Sequence, residues 1–178
     1  MRTKKPLPIS LLLTAPVFGA CNTVPTNHSA NPTANFYAVE EGMVYRGSRP
    51  TYQGIEELAG MSIRTILDLE DNGRVVKDEV GWAAALGMKE IAAPIASRAQ
   101  PDSSSVQLAL DTLADSANMP IFVHCAKGQD RTGMIVALHR IFNQGWDAQE
   151  AKDEMEAHGF DDSLHEMKQY FEMKAGLE

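Results

Sequence analysis

The sequence predicts an α/β fold, a small parallel-dominated central sheet flanked by helices, on three observations. Pro120-Ile121-Phe122-Val123 is an apolar, β-prone run, and the segment 133–142 that follows it is apolar on almost every face, which marks a central helix. A second β-prone run, 63–69, follows a helix that Gly60 ends. Val106, Leu110 and Leu113, at spacings of four and three, place another helix just before the first run.

Taken from the start, Met1-Arg2-Thr3-Lys4-Lys5 is basic, 9–18 is a short apolar run, and Gly19 and Ala20 are small, so 1–20 reads as a signal peptide. The run is shorter than the roughly 20 apolar residues of a transmembrane helix. Phe18-Gly19-Ala20-Cys21 resembles the bacterial lipobox, with phenylalanine where leucine is usual. That resemblance implies a lipid on Cys21; plain secretion is the alternative. In either case the chain reads as an exported bacterial protein, at the periplasmic face of a membrane as a lipoprotein, or periplasmic or secreted. Residues 21–35, rich in Pro, Thr and Asn, read as a polar tether. Residues 36–178 then form one domain, since the roughly 155 residues that remain after the leader suffice for a single sizeable core. The whole chain carries a net charge of −8, and loss of the leader removes three basic residues and no acidic one, leaving −11. Such a surface repels nucleic acid and anionic membrane, so affinity for phosphate has to come from a local pocket.

The chemistry concentrates in His124-Cys125-Ala126-Lys127-Gly128-Gln129-Asp130-Arg131-Thr132-Gly133. Cys125 stands where strand becomes helix. The N–H groups of Ala126, Lys127, Gly128, Gln129, Asp130 and Arg131 can converge there, and the helix start adds unpaired N–H groups and the positive end of its dipole. The same field favours the Cys125 thiolate and supplies a nucleophile at neutral pH. The planar fork of Arg131 can grip two oxygens of a phosphoryl group, which lysine cannot copy. Gly128 supplies a backbone conformation closed to other residues. The Thr132 hydroxyl is placed to hydrogen-bond the sulfur, and His124 and Gly133 support the loop, His124 by bracing its backbone.

The pattern HCxxGxxRTG resembles the signature of the cysteine-dependent protein tyrosine and dual-specificity phosphatases, most nearly their atypical bacterial and plant-and-fungal members. The resemblance covers 36–143 and implies the cysteine-phosphatase fold, hydrolysis through a phosphocysteine, and a phosphorylated protein or an inositol phosphate as substrate. Phe36 to Pro50 resembles the family's opening hairpin, and 63–69 its second core strand. Arg46, Arg49 and Arg98 line the mouth by the same resemblance, and Lys127 is placed to touch further phosphates. Gln100-Pro101-Asp102 resembles the loop that carries the family's general acid, with glutamine where tryptophan or isoleucine is usual. Asp102 followed by three serines also reads as a helix N-cap, and the two roles can coexist. Asp130 is the second candidate acid, because Asp130-Arg131-Thr132 resembles phosphatases of phosphoinositides and inositol phosphates; an ordinary solvated or ion-paired charge is its alternative reading. Asp68, Glu70 and Asp71 read as turn formers without a catalytic role.

Beyond the loop, Asp147 with Glu150 starts a helix that ends near His158, and Asp162-Ser163 starts another through Lys174. Met155, Leu164, Met167 and Phe171 recur at near-helical spacing and read as core. The histidines show no metal-ligand spacing, and the chemistry requires neither metal nor cofactor. With Cys21 acylated, Cys125 is the one remaining thiol, free of structural pairing. A phosphate-binding module without turnover and a rhodanese-type sulfurtransferase are the competing functions.

Overall fold

The computed structural model describes residues 31–177. The expected signal peptide and Cys21, with the tether as far as residue 30, lie outside the described residues. The elements are β1 (Tyr37–Glu40), β2 (Val44–Ser48), α1 (Tyr52–Gly60), β3 (Thr65–Asp68), α2 (Gly73–Ala85), β4 (Lys89–Ala92), α3 (Ser103–Ala114), β5 (Ile121–Cys125), α4 (Asp130–Gln144), α5 (Ala148–Ala157) and α6 (His165–Ala175). The sheet order is β1-β2-β5-β3-β4. Only the β1–β2 hairpin is antiparallel; the other three ladders are parallel. The opening hairpin, the strand after Gly60 and the central helix stand where the sequence places them.

Side-chain alternation along the strands divides the core into two layers. Leu67, Ile121, Val123 and Cys125 pack with Val106, Leu110 and Leu113 of α3, Met134 to Leu138 of α4, and Met155, Met167 and Phe171. Ile66 and Phe122 point the other way, against Ile55 and Leu58 of α1 and Ala83 of α2. α4 is buried from Arg131 to Arg140, as its uniform hydrophobicity requires. α5 starts under the Asp147 cap, which accepts from Gln149 N at 2.8 Å.

Three features depart from the sequence reading. α2 and β4 carry no signal in the sequence analysis. α6 begins at His165 and not at Asp162, because 161–164 turn first: Asp161 Oδ1 accepts from Ser163 N at 2.9 Å. The expected tether is packed onto the domain in its described part. Pro32 is buried, Thr33 Oγ1 donates to Ser48 O at 2.9 Å, and Ser48 N donates to Ala34 O at 2.9 Å.

Candidate active site

β5 lies between β2 and β3 and delivers Cys125 at its C-terminal end, opposite Ser48. The chain then turns through 126–129 into α4, so the loop and a helix N-terminus converge above the sulfur. Gly128 makes the turn possible twice over. Its φ is +69°, and a Cβ there would run into the Gly47 carbonyl and sit 2.7 Å from Ser48 N. Gly133, a turn further on, leaves room for Met155: a Cβ would stand 3.2 Å from its Cγ.

Cys125 is 2% exposed. Burial pushes its thiol up, but the Thr132 hydroxyl and N–H, the Arg131 charge and the Lys127 N–H outweigh burial, and its pKa lies below the ordinary value. Thr132 Oγ1 is itself fully buried with no hydrogen-bond partner among the described residues, and it is its proximity to the sulfur that favours the thiolate. Among the described residues, Arg131 is held by Nη1, which donates to Asp71 Oδ1 at 3.1 Å and to the Leu69 and Ile95 carbonyls at 3.4 Å each. These bonds anchor one nitrogen and leave the Nε and Nη2 edge of the fork for a bidentate grip. Asp71, read from sequence as a turn former, is thus the carboxylate that orients Arg131.

A cavity of about 180 Å³ opens over the sulfur, lined by Ser97, Arg98, Cys125, Ala126, Lys127, Asp130, Arg131, Asp161 and Leu164. Of the expected mouth arginines, Arg98 is there. Arg46 is not: it lies beneath the loop, 2% exposed, and Nη2 donates to Gly128 O at 2.8 Å. Arg49 is turned away into a two-pronged pair with buried Glu70. Gln129 sends its side chain against Gly159. Asp130, at the cavity's edge, accepts from Asp161 N at 2.9 Å in a bond open to solvent, and so ties the turn before α6 to the loop. Ser97, Asp161 and Leu164 are the lining residues that the sequence reading missed; Leu164 was read as core, Asp161 precedes the Asp162-Ser163 pair read as a helix start, and nothing in its spacing from Cys125 points to the cavity.

Asp102 caps α3, Oδ2 accepting from Ser105 N at 3.0 Å and from the Ser104 hydroxyl. These bonds hold its carboxyl below the usual range, and it is not among the cavity-lining residues. His124 departs most from expectation. As the neighbour of Cys125 in a strand it faces the opposite side of the sheet, fully buried, with Nε2 2.7 Å from Glu79 Oε1 and Nδ1 3.8 Å from Asp68 Oδ1. It braces α2 and not the loop backbone. Burial pushes its pKa down, but the Glu79 hydrogen bond and charge, followed by Asp68 and Cys125, push it up further, and the net shift is upward. Asp68, Glu79 and Glu90 bring carboxylate oxygens within 4.8 Å of one another, as do Asp68 and Glu70 with His124 Nδ1 or Nε2. Some of these atoms have protein partners, whereas Asp68 Oδ2, His124 Nδ1 and both Glu90 oxygens have no hydrogen-bond partner among the described residues. Glu79 faces His124, Glu70 faces Arg49, Asp68 accepts from Glu70 N at 2.8 Å, and burial pushes Glu90 up to about 8, where its carboxyl is neutral at pH 7.

The site is thus a cysteine with a depressed pKa under a helix N-terminus, closed by an oriented arginine. Residues 15–173 match the family described as DSP-PTPase phosphatase fused to NAD+ kinase. The chain belongs to this phosphatase family. The dual specificity protein phosphatase TpbA of Pseudomonas aeruginosa is 26% identical over 157 residues, 86% of this chain and 69% of that protein. A structure of TpbA in complex with pTyr superposes with a TM-score of 0.66 at 26% identity, covering 80% of this chain and 85% of that one. The core catalytic domain of the PP-IP phosphatase SIW14 from S. cerevisiae, in complex with citrate, gives a TM-score of 0.71 at 25% identity over 80% of this chain and 87% of that one. Inositol diphosphatase DSP3 of Arabidopsis thaliana is 29% identical over 119 residues, and the chain spans 65% of itself and 57% of that protein in the match. The chain is an enzyme of the dual-specificity phosphatase class, on the α/β fold that its sequence predicts.

Proposed function

We propose that the chain hydrolyses phosphate esters through a phosphocysteine on Cys125, with phosphotyrosine-type aryl esters as its substrates. The observation that carries this reading is the depressed thiol of Cys125 beneath the open edge of Arg131. Sulfur attacks phosphorus, the S–P bond forms as the P–O bond breaks, and Arg131 with the loop N–H groups holds the three phosphoryl oxygens through the transition state. The leaving oxygen takes up a proton. Water then attacks phosphorus, inorganic phosphate departs, and the thiolate returns with the Thr132 hydroxyl bonded to it.

The choice of substrate rests on what faces the leaving group. The carboxylates at the cavity are Asp130 and Asp161, and Asp161 is held low by its bonds to Ser163 and then by the charges of Lys127 and Arg98. Asp102 is spent on its helix. With Asp161 held low and Asp102 occupied at the start of α3, leaving groups of low basicity are favoured. The mouth's two cations, Arg98 and Lys127, are matched by Asp130 and Asp161, which suits one phosphoryl group better than a ring of phosphates. A second reading, an inositol diphosphate, is supported by the likeness to DSP3 and SIW14; its leaving group is itself a phosphate and also departs with little help.

Three substrates under one condition decide: a phosphotyrosine peptide, a phosphoserine peptide and an inositol diphosphate. The phosphotyrosine peptide is expected to turn over fastest, and Cys125→Ser to release no phosphate from any of them. Turnover by that variant overturns the mechanism, and a preference for the inositol diphosphate overturns the substrate. The export reading is a proposal resting on residues 1–21: Cys21→Ser should move the protein from the membrane to the soluble fraction with activity unaltered, and an unchanged membrane fraction counts against the lipid.

A further inference from the structure

We propose that Asn35, 90 residues before Cys125 in the chain, is a positioning residue for the phosphate loop. The proposal rests on the phosphatase reading for its meaning, and its first readouts need no substrate.

An anion cradle works only if successive backbone N–H groups point inward. In a trans peptide the C=O and N–H are opposed, so an N–H is aimed by whatever holds the carbonyl on its other side. Two consecutive loop carbonyls have a side-chain donor. Arg46 Nη2 holds Gly128 O at 2.8 Å and so aims the Gln129 N–H. Asn35 Nδ2 holds Lys127 O at 2.9 Å and so aims the Gly128 N–H. Gly128 is the residue for which this matters most, because a glycine without a side chain is free to let either flanking peptide flip.

The segment that carries Asn35 is built to hold it there. Asn35 itself sits at φ +52°, a left-handed conformation that asparagine tolerates better than most residues. Thr33 Oγ1 bonds both the carbonyl and the hydroxyl of Ser48, at 2.9 and 2.6 Å, while Ala34 O accepts from Ser48 N. Two glycines make room: a Cβ on Gly47 would stand 2.6 Å from Thr33 Cγ2, and one on Gly54 would overlap Pro32 O. Gly47 and Ser48 also form the surface on which Gly128 rests. Strap and loop therefore share one support at the end of β2. The Asn35 bond is exposed, so water can replace it at little cost in stability, but water does not fix a direction.

Two variants separate donor from backbone. Asn35→Gly keeps the left-handed conformation and removes the donor; Asn35→Asp keeps size and shape and sets an acceptor against the Lys127 carbonyl. Both are expected to shift the pH profile of Cys125 alkylation by iodoacetamide to higher pH and to weaken vanadate binding and kcat/KM roughly tenfold, the scale of one lost hydrogen bond. The melting temperature stays at the wild-type value. Wild-type alkylation and vanadate binding in both variants overturn the proposal, and so does a loss of melting temperature that parallels the loss of reactivity. Alkylation and vanadate binding are read on the protein alone, so a wild type that turns over no substrate would fail the function proposed above without touching this test.

Discussion

Gly128 carries two demands at one position, a positive φ and contact with the Gly47 carbonyl, and no other residue meets both. Gly128→Ala should therefore lose more than the roughly 1–2 kcal/mol of a left-handed alanine, seen as a lower melting temperature with a disproportionate fall in turnover. Arg131→Lys tests the fork. Asp71 and the two carbonyls can still hold an ammonium, so the fold should survive, while kcat/KM falls by at least about a hundredfold for want of the second hydrogen bond to the phosphoryl group. Wild-type kinetics in that variant would mean that Arg131 does not grip the substrate. The juxtaposition of Cys125, Gly128, Arg131 and Thr132 was legible because all four lie within ten residues, where the turn from β5 into α4 alone sets their relative places. Arg46 and Arg49 were not. A basic residue near a phosphate site reads as a ligand for phosphate, and only the fold shows one pinned under a carbonyl and the other paired with Glu70.

α3 gives the test of its own cap. Asp102→Asn keeps an oxygen acceptor for the Ser105 N–H, and it should leave the melting temperature and aryl-phosphate turnover near wild type; Asp102→Ala should lower the melting temperature. A turnover loss in Asp102→Asn that grows with the basicity of the leaving group would restore Asp102 as the acid. β5 stands where the sequence places it, and alternation at its last two residues turns His124 to the face opposite Cys125, against α2 and away from the loop. α2 and β4 were missed for a related reason. Each turns a glutamate inward, Glu79 and Glu90, and an inward charge erases the hydrophobic period by which a helix or strand is read. The acidic groups that hid these two elements are the same ones that surround His124.

At the scale of the whole molecule those buried groups give a pH dependence of stability. Glu90 is pushed from 4.5 to about 8 and Asp68 from 3.8 to about 6, both chiefly by burial, and His124 is raised as well. In each case the folded state binds the proton more tightly than the unfolded state, so stability falls as pH rises through this range. Asp102 and Asp161, both depressed, act with the opposite sign and lose their contribution as pH falls below the usual carboxylate range. The melting temperature should peak near about pH 5 and decline toward pH 8. Glu90→Gln should flatten the alkaline side and raise the melting temperature at pH 8; an unchanged slope would show that Glu90 titrates normally. The α/β class and the order of most elements were legible from the sequence, whereas the parallel order of the sheet says something about assembly that no local pattern carries. β5 is the last strand in the chain and the middle one in the sheet. Before it arrives, β2 and β3 each offer a bare hydrogen-bonding edge, the kind of template that recruits foreign strands. Its insertion closes both ladders, over a long sequence separation on the β2 side, and in the same event seats the cysteine and starts α4. Refolding should thus recover thiol reactivity in step with the completed sheet, never ahead of it, and a chain truncated before residue 121 should aggregate and not persist as an inactive but soluble fragment.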